Sequence, residues 1–503
     1  MAKTSDPVYI LAFDLGAESG RAVLGTLQGG RLSFHEVRRF PNTPLPLSGH
    51  IHWNVYRLLD EMKTAMRETA AAIGARPASV GVDTWGVDFG LLAQDGTLLG
   101  LPFCYRDHRN DGAMEDYLKL VPREALYEAT GIQFMPFNTL FQVYAMVRER
   151  SPLLDAAADL LFMSDLFNYL LTGKKAAEST IASTSQMLDP RTRKWIPGLF
   201  QAMGLSKRIL QDIVDPGTVL APLSSEMAGA TGLRDVPVVA TAGHDTAAAV
   251  AAVPAEGGDW AYISSGTWSL VGVETRSPVI SPRSLAANFT NEGGVGGAVR
   301  FLKNVTGLWL IQGCRKAWSA EGAASYEELA RAAAGAPPFA ALVDPDDPSF
   351  LNPPDMPEAV AAHLRRTGQE MPASRASLVR SLFESLALKY RLVIDELGRT
   401  LDRPIRKVHI IGGGSRNELL CQFTADATGL TVVAGPAEAT AVGNILVQAM
   451  ALGRISTPAE IRTIIRDSFD LRTYEPAGIA AWDEAAARFR ALLAGRRTME
   501  GSL

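Results

Sequence analysis

The sequence predicts an α/β protein with two domains of similar architecture. Residues 8–13 and 21–27 are apolar runs joined by a short turn of small residues, which is the pattern of a β-hairpin. The same order of strand, small-residue turn and strand returns at residues 259–274. The 503 residues are enough for two or three domains. We therefore interpret the two hairpins as the opening elements of two related domains.

The composition is that of an ordinary globular protein, with 47% hydrophobic and 20% charged residues. The net charge is -5 and the sequence has no basic stripe, so no nucleic-acid partner is expected. Cys104, Cys314 and Cys421 are too widely spaced to predict a zinc site or a disulfide framework. The first apolar run is short and ends at Asp14, so no signal peptide is expected. Residues 236–253 are too polar in the middle for a membrane span. We therefore expect a cytoplasmic protein with no membrane partner.

Asp14 ends the first predicted strand, beside the small-residue turn of residues 16–20. Such a turn exposes backbone N–H groups and lets a phosphate approach closely. A carboxylate at this place can hold Mg²⁺, which bridges to the phosphates. A capping role for Asp14 in a tight hairpin turn explains the pattern equally well. No helix follows the glycines and no GxxxxGK[ST] segment occurs, which excludes a Rossmann start and a P-loop.

The region between the two hairpins carries further secondary-structure signals. Asn54 is a favourable N-cap residue and predicts a helix that runs from there to about Ile73. Residues 80–100 predict a pair of strands that closes at a turn of Asp95 and Gly96. Further on, Pro and Asp residues over 335–357 predict a long loop inside the second domain.

The segment DTWGVD combines acidic residues with a tryptophan. Asp83 and Trp85 are two residues apart and would share one face of a strand. A carboxylate beside an indole suits a sugar, which offers hydroxyl groups and a C–H face. A buried Trp85 with Asp88 in the following turn is the simpler interpretation of the same pattern.

Residues 242–255, AGHDTAAAVAAVPA, contain a predicted helix from Thr246 to Val253. Asp245 then stands at or next to the N-cap, where Asp is common for structural reasons alone. The helix N-terminus also keeps a carboxylate ionised, and an ionised Asp can accept the proton of a hydroxyl that attacks phosphorus. Its place just ahead of the second hairpin favours this catalytic interpretation.

Residues 407–430 predict a strand, the three glycines Gly412–Gly414 and a helix from about Asn417. Bare glycine backbone lets a flat ring or a ribose pack closely, and a helix N-terminus can face a phosphate. A tight turn between strand and helix is the simpler interpretation of this segment.

Six segments of this kind occur together along the chain. They are DLGAESGR (14–21), DTWGVDFGLL (83–92), TLFQVYA (139–145), AGHDTAAA (242–249), SSGTWSL (264–270) and IIGGGSRN (410–417). Over about residues 8–455 the set resembles the FGGY carbohydrate-kinase family of the actin-like ATPase and sugar-kinase superfamily. The resemblance implies two ribonuclease H-like domains, of the actin and hexokinase type, that flank a nucleotide and sugar cleft. It implies an N-terminal domain over 1–247 on the sugar and phosphate side, a C-terminal domain over 248–455 on the nucleotide side, and a helical C-terminal appendage over 456–503.

The resemblance also assigns roles to the residues that match the family's motifs. The first phosphate loop is implied at Ala17, Glu18, Ser19, Gly20 and Arg21, with Asp14 holding Mg²⁺ through water. Nucleotide contacts are implied at Thr267, Gln312 and Gly413. Sugar contacts are implied at Gly86, His244, Asp245, Thr246 and Asn304. Among these residues, Asp245 is the implied proton acceptor.

The implied reaction is phosphoryl transfer from ATP, with Mg²⁺, to a small-molecule sugar. One branch of the family is similar at DTWGVD and at GLPFCYRDHRNDG (100–112), FLNPPDMPEA (350–359) and GPAEATAVGNILVQAMALG (435–453). That similarity implies L-rhamnulose as the substrate and its 1-hydroxyl as the acceptor. L-fuculose or a pentulose is the alternative substrate, and an actin-like ATPase module is the alternative of a different class. The sequence does not predict an oligomeric state.

Overall fold

The computed structural model describes residues 6–205, 209–322 and 324–500. Contacts divide the chain into two compact units. The first comprises Met1–Pro254, Glu274–Phe301 and Ala439–Phe469, and the second comprises Ala255–Val273, Leu302–Glu438 and Asp470–Leu503. The chain therefore leaves the first unit and returns to it twice. The predicted domain limits after residues 247 and 455 stay a prediction.

The strands range from two to eleven residues in length. In chain order they are β1 (Val8–Leu15), β2 (Ser19–Gln28), β3 (Arg31–Pro41), β4 (Leu45–Leu47), β5 (His50–His52), β6 (Ser79–Thr84), β7 (Phe89–Leu92), β8 (Asp159–Phe162), β9 (Ala177–Glu178), β10 (Leu188–Asp189), β11 (Lys194–Trp195), β12 (Ile213–Val214), β13 (Thr218–Pro222), β14 (Pro237–Ala240), β15 (Trp260–Ser265), β16 (Trp268–Thr275), β17 (Thr290–Gly293), β18 (Val299–Thr306), β19 (Lys407–Ile411), β20 (Thr431–Ala434) and β21 (Arg472–Tyr474).

The helices alternate with these strands along most of the chain. In order they are α1 (Val55–Ile73), α2 (Ala113–Tyr117), α3 (Arg123–Thr130), α4 (Thr139–Arg148), α5 (Pro152–Ala156), α6 (Met163–Thr172), α7 (Ser179–Ala182), α8 (Pro197–Ala202), α9 (Ser225–Thr231), α10 (Asp245–Ala251), α11 (Pro282–Ala286), α12 (Trp309–Ala317), α13 (Tyr326–Ala334), α14 (Met356–Arg366), α15 (Arg375–Leu401), α16 (Glu418–Thr428), α17 (Ala439–Ala451), α18 (Pro458–Ser468) and α19 (Ile479–Glu500). Within the described ranges, no helix combines the length and the apolar character that crossing a membrane requires.

The first unit is built on a mixed sheet with the strand order β13-β14-β6-β1-β2-β3. β1 lies in its middle, antiparallel to β2 and parallel to β6. The last six residues of β1 are all buried, which explains its nearly unbroken apolar sequence. Helices α1 and α6 pack on this sheet, and α17 packs on β1 and β6. The carboxyl ends of β1 and β6 therefore lie side by side.

The second unit repeats this pattern of strands. β15 pairs antiparallel with β16 and parallel with β19, as β1 does with β2 and β6. β20 continues the sheet in parallel, and β21 closes it in the antiparallel sense. The long helix α15 packs against α13 and α16 in this unit. The expectation of two α/β domains that each open with a hairpin is thus confirmed.

Local signals predicted several elements correctly. Asn54 caps α1 by accepting a hydrogen bond from the Arg57 N–H, and α1 ends at Ile73 as expected. The turn predicted at Asp95 and Gly96 is present, because Leu92 and Leu98 form a bridge and the N–H groups of Ala93 and Leu99 donate to the carbonyl oxygens of Thr97 and Leu91 at 2.8 Å. The main partner of β7 was not predicted, because all four of its residues pair with β8, about 70 residues further on. β7 therefore pairs both with the local segment and with a distant strand.

Candidate active site

Three ionisable side chains lie in a row across β2, β1 and β6. Asp14 pairs in register with Arg21 on one side and with Asp83 on the other, so the three side chains share one face of the sheet. The Arg21 guanidinium donates a hydrogen bond to Asp14 Oδ2. Asn444 Nδ2 donates to Asp83 Oδ2 at 2.5 Å. Asp83 Oδ1 is buried and has no hydrogen-bond partner among the described residues.

The two neighbouring carboxyl groups differ in their surroundings. Burial raises the pKa of Asp83 well above its ordinary value, and the negative charge of Asp14 raises it further. Asp14 has the Arg21 cation as a partner. Carboxylate oxygens are the ligands that Mg²⁺ prefers, and the unpaired Asp83 Oδ1 leaves a polar atom beside Asp14 without a protein donor. The residues at this end of β1 therefore fit a magnesium ion.

The turn between β1 and β2 is closed by backbone contacts. The Gly16 N–H donates to the Ser19 carbonyl oxygen at 3.0 Å. Asn42 ties the turn down, because its side chain donates to the Gly16 oxygen at 2.8 Å and its N–H donates to the Glu18 oxygen at 2.9 Å. Glu18 is exposed at the tip together with the half-buried Ala17. The predicted phosphate loop thus occupies the turn and the first three residues of β2, Ser19, Gly20 and Arg21.

Asp245 is the first residue of α10, and His244 is the N-cap, as the sequence predicted within one residue. The Thr246 N–H and hydroxyl donate to Asp245 Oδ1 at 2.5 and 3.1 Å. His244 Nε2 lies 3.3 Å from the same oxygen. No described residue donates a hydrogen bond to Asp245 Oδ2, and the side chain is 29% exposed. One oxygen is therefore held by the protein and the other is open to a substrate.

The pKa of Asp245 is raised above its ordinary value by burial. The His244 ring and the Thr246 hydrogen bonds act in the opposite direction, and the charge of Asp14 adds to the increase. A carboxylate whose pKa is raised is a better proton acceptor. Its position at the start of a helix is consistent with that role.

His244 is packed between Gly86 and a buried ion pair. A Cβ atom on Gly86 would lie 3.3 Å from His244 Nε2, so Gly86 brings bare backbone against the ring. On the other side, Arg300 Nη2 lies 3.1 Å from Nδ1, and Glu292 Oε2 lies 3.4 Å from it. Gly86, His244, Asp245 and Asp14 thus belong to the first unit.

Asp88 organises the DTWGVD segment from within the core. Its Oδ2 accepts hydrogen bonds from Trp53 Nε1 at 2.6 Å, Trp85 Nε1 at 3.0 Å and the Tyr105 N–H at 3.1 Å. Its Oδ1 accepts from Gln142 Nε2 at 2.9 Å. Trp85 is only 4% exposed, so the simpler interpretation, a buried indole with a turn carboxylate, is confirmed. Burial raises the pKa of Asp88 to about 6 despite these four donors.

The second unit holds the residues predicted to contact the nucleotide. Gly266 and Thr267 form the turn of its hairpin, and the Thr267 carbonyl oxygen accepts from the N–H groups of Gly307 and Trp309 at 3.1 and 3.2 Å. Gln312 lies on α12, and its buried Oε1 has no hydrogen-bond partner among the described residues. An acceptor buried without a donor indicates a place for a ligand donor.

The glycines after β19 differ in what surrounds them. A Cβ on Gly414 would lie 2.0 Å from Ser265 Oγ, and Gly412 has φ +80° with the Ser265 oxygen 3.0 Å from its Cβ position. These two glycines are required by the close packing of a tight turn. Gly413 faces open space, with nothing within 4 Å of a Cβ. Asn304 lies on β18 in the same unit.

One further group of potential metal ligands occurs among the described residues, formed by His50, Asp107 and His108 with ligand atoms within 4.8 Å of one another. Asp107 accepts hydrogen bonds from the N–H groups of Ile51 at 2.7 Å and Arg109 at 3.0 Å. His50 Nδ1 lies 3.0 Å from the same carboxylate. These bonds explain the burial of Asp107 without a metal ion.

Sequence reasoning missed three residues of the first unit's site: Glu292, Arg300 and Asn444. Glu292 and Arg300 stand in the segment TNEGGVGGAVRF, where an acid and a base interrupt small and apolar residues. These two charged residues could have been identified as a buried ion pair, because charged residues are seldom buried unless they are paired. Asn444 and Gln448 are buried polar residues in a mainly apolar helix and carry a similar signal.

Comparison with known proteins identifies the family of this chain. The N-terminal domain of the FGGY family of carbohydrate kinases matches residues 9–252, and the C-terminal domain matches residues 261–452. A rhamnulokinase of Bacteroides thetaiotaomicron is 48% identical over 479 residues, which cover 95% of this chain and 98% of that protein. A rhamnulokinase of Bacillus subtilis is 38% identical over 468 residues, which cover 93% and 95% of the two chains.

Solved structures support the fold. A ligand-bound xylulose kinase from Lactobacillus acidophilus superimposes with a TM-score of 0.79 at 16% identity, over 98% of each chain. A glycerol kinase from Plasmodium falciparum with ADP gives a TM-score of 0.75 at 13% identity, over 99% of this chain and 98% of that one. At these identities the likeness concerns the two-domain α/β fold alone.

Proposed function

The chain belongs to the FGGY family of carbohydrate kinases, and we propose that it is an ATP-dependent rhamnulokinase. The substrate is L-rhamnulose, and the product is L-rhamnulose 1-phosphate. Similarity to rhamnulokinases at 38–48% identity over nearly the whole chain supports the choice of substrate. The arrangement of Asp245 is the observation that supports the chemistry.

Asp245 accepts the proton of the sugar's 1-hydroxyl. As that oxygen bonds to the γ-phosphorus of ATP, the bond from phosphorus to the β–γ bridging oxygen breaks and ADP leaves. The proton goes to Oδ2, the oxygen without a protein donor, while Thr246 and His244 hold Oδ1. General-base assistance of this kind contributes about 10²- to 10⁴-fold to a rate.

The sugar is bound by Gly86, His244, Thr246 and Asn304 in this proposal. Gly86 presents backbone without a side chain next to the His244 ring, where a Cβ atom would lie 3.3 Å from Nε2. Phosphates are bound by the first hairpin, from Ala17 to Arg21, and by Thr267 of the second. Gln312 and Gly413 bind the nucleoside, supported by the unpaired Gln312 Oε1 and the open space at Gly413.

Asp14 holds Mg²⁺ through water, at the site where the carboxyl oxygens of β1 and β6 fit that ion. When bound, the ion neutralises charge on the transferring phosphoryl group. Arg21 pairs with Asp14 and orients its carboxylate.

Sugar-dependent ADP release tests the proposal. The purified protein is assayed with MgATP and with L-rhamnulose, L-fuculose, D-xylulose, L-ribulose or glycerol. We expect L-rhamnulose to give the highest kcat/KM. A preference for another sugar would replace the substrate and keep the kinase. ATP turnover that is the same with and without every sugar would contradict the kinase assignment and favour an actin-like ATPase.

A further inference from the structure

A buried pair of opposite charges lies behind His244, on the side away from Asp245. Arg300 is fully buried and the Glu292 side chain is 6% exposed. Arg300 Nη2 lies 3.0 Å from Glu292 Oε2, and its Nε donates to the Gly293 carbonyl oxygen at 2.8 Å. Burying two charges costs free energy that only well-formed contacts offset. The mechanism above gives this pair no role.

The pair faces one nitrogen of the His244 ring. Arg300 Nη2 is 3.1 Å from Nδ1, and this contact is shorter than the 3.4 Å from Nδ1 to Glu292 Oε2. A guanidinium group can only donate hydrogen bonds, so Nδ1 must be the acceptor in this contact. The ring proton is then on Nε2, which lies 3.3 Å from Asp245 Oδ1.

We propose that Arg300, held in place by Glu292, is a positioning residue for Asp245 that acts through His244. By donating to Nδ1, it keeps the ring proton on Nε2, which lies 3.3 Å from Asp245 Oδ1. Asp245 then has Oδ1 occupied by donors and presents Oδ2 to the substrate hydroxyl. This inference rests on the proposed function, in which Asp245 is the proton acceptor.

The electrostatics of Glu292 agree with this arrangement. Burial acts to raise the pKa of the Glu292 carboxyl, the charge of Arg300 is the largest of the interactions that lower it, and the pKa lies below its ordinary value. Glu292 is therefore ionised and keeps the guanidinium in place. Without Arg300, His244 Nδ1 would carry the proton and donate to Glu292, and the Nε2 lone pair would face the Asp245 carboxylate.

Substitution of Arg300 tests the proposal kinetically. Arg300→Met should lower kcat for L-rhamnulose by about 10- to 100-fold, the range typical of residues that orient a functional histidine, with the KM for ATP unchanged. The matched control is Arg462→Met, which removes the Arg462–Glu274 ion pair of the same unit and should leave kcat within about twofold. If Arg300→Met fails to fold, the double variant Glu292→Met/Arg300→Met removes both charges, leaves no donor beside Nδ1 and should show the same loss.

A His244→Gln background separates positioning from a general structural role. The glutamine amide can donate to Asp245 without help from Arg300, so adding Arg300→Met should change kcat less than about threefold. An equal loss in both backgrounds would mean that Arg300 acts on the fold and would overturn the proposal. An unchanged kcat in Arg300→Met alone would overturn it as well.

The ring proton is measured directly by ¹⁵N NMR of histidine-labelled protein, which contains seven histidines. The His244 signals are identified by their loss in His244→Gln. We expect a protonated Nε2 and an unprotonated Nδ1 in the wild type, and the reverse in Arg300→Met. A protonated Nδ1 in the wild type would contradict the inference. This result does not depend on which sugar is phosphorylated, so it distinguishes a failure here from a failure of the proposed function.

Discussion

Replacing Asp245 by Asn changes one property of the site and leaves most of its contacts in place. The asparagine oxygen can still accept from the Thr246 N–H and hydroxyl, which donate to Oδ1 at 2.5 and 3.1 Å. The amide nitrogen takes the place of Oδ2, where no described residue donates, so no protein donor is opposed. The variant therefore loses the ability to accept the substrate proton and little else. We expect kcat to fall about 10²- to 10⁴-fold, the usual contribution of a general base.

The assay measures sugar-dependent ADP release under saturating MgATP and L-rhamnulose, with ATP binding followed separately by calorimetry. We expect the Kd for ATP to stay within about threefold, because Asp245 acts on the hydroxyl and not on the nucleotide. Asp60→Asn, an exposed Asp on α1, is the matched control and should retain full activity. A kcat within tenfold of the wild type in a folded Asp245→Asn protein would refute the assignment of the base.

Three other predictions follow from the same contacts. Because burial raises the pKa of Asp245, kcat/KM should fall with decreasing pH through a value above the ordinary carboxyl range in a pH–rate profile. Asp88 has its pKa raised from 3.8 to about 6, so the folded protein binds its proton more tightly and stability falls as pH rises between these values. Asp88→Asn should remove about 2 kcal/mol of the fall between pH 4 and pH 7 in unfolding experiments, and an identical pH dependence in both proteins would contradict the argument. Gly414→Ala should lower Tm, because its Cβ atom would lie 2.0 Å from Ser265 Oγ. Gly413→Ala has nothing within 4 Å of its Cβ position, so it should keep Tm and raise the KM for ATP. Equal Tm values for the two variants would be inconsistent with this packing.

The elements that local patterns specify were predictable. The hairpin of β1 and β2 follows from two apolar runs and a small-residue turn, and the start of α1 follows from the capping side chain of Asn54. Asp245 was located within one residue of the start of α10 for the same reason. These features depend on hydrogen bonds and side-chain periodicity over a few residues, which the sequence displays directly.

Pairing across long distances was not predictable from the pattern. The turn after β7 forms as expected, but the main partner of β7 is β8, which pairs with all four of its residues, whereas the segment after the turn contributes one bridge. In the same way, the indole N–H groups of Trp53 and Trp85 both donate to Asp88. Trp53 precedes Asp88 by 35 residues, so the sequence pattern around Asp88 does not reveal it. The buried role of Trp85 could be suspected from the sequence, but its partners could not.

The sequence by itself determined two α/β domains, a carboxylate at the end of β1 and a carboxylate at the start of α10. It did so because each of these depends on neighbours in the chain. The tertiary structure alone decided what surrounds them: Asn444 against Asp83, 361 residues away, and Arg300 against His244, 56 residues away. Such contacts depend on which strands and helices pack together, and the protonation and orientation of the site residues are set by that packing.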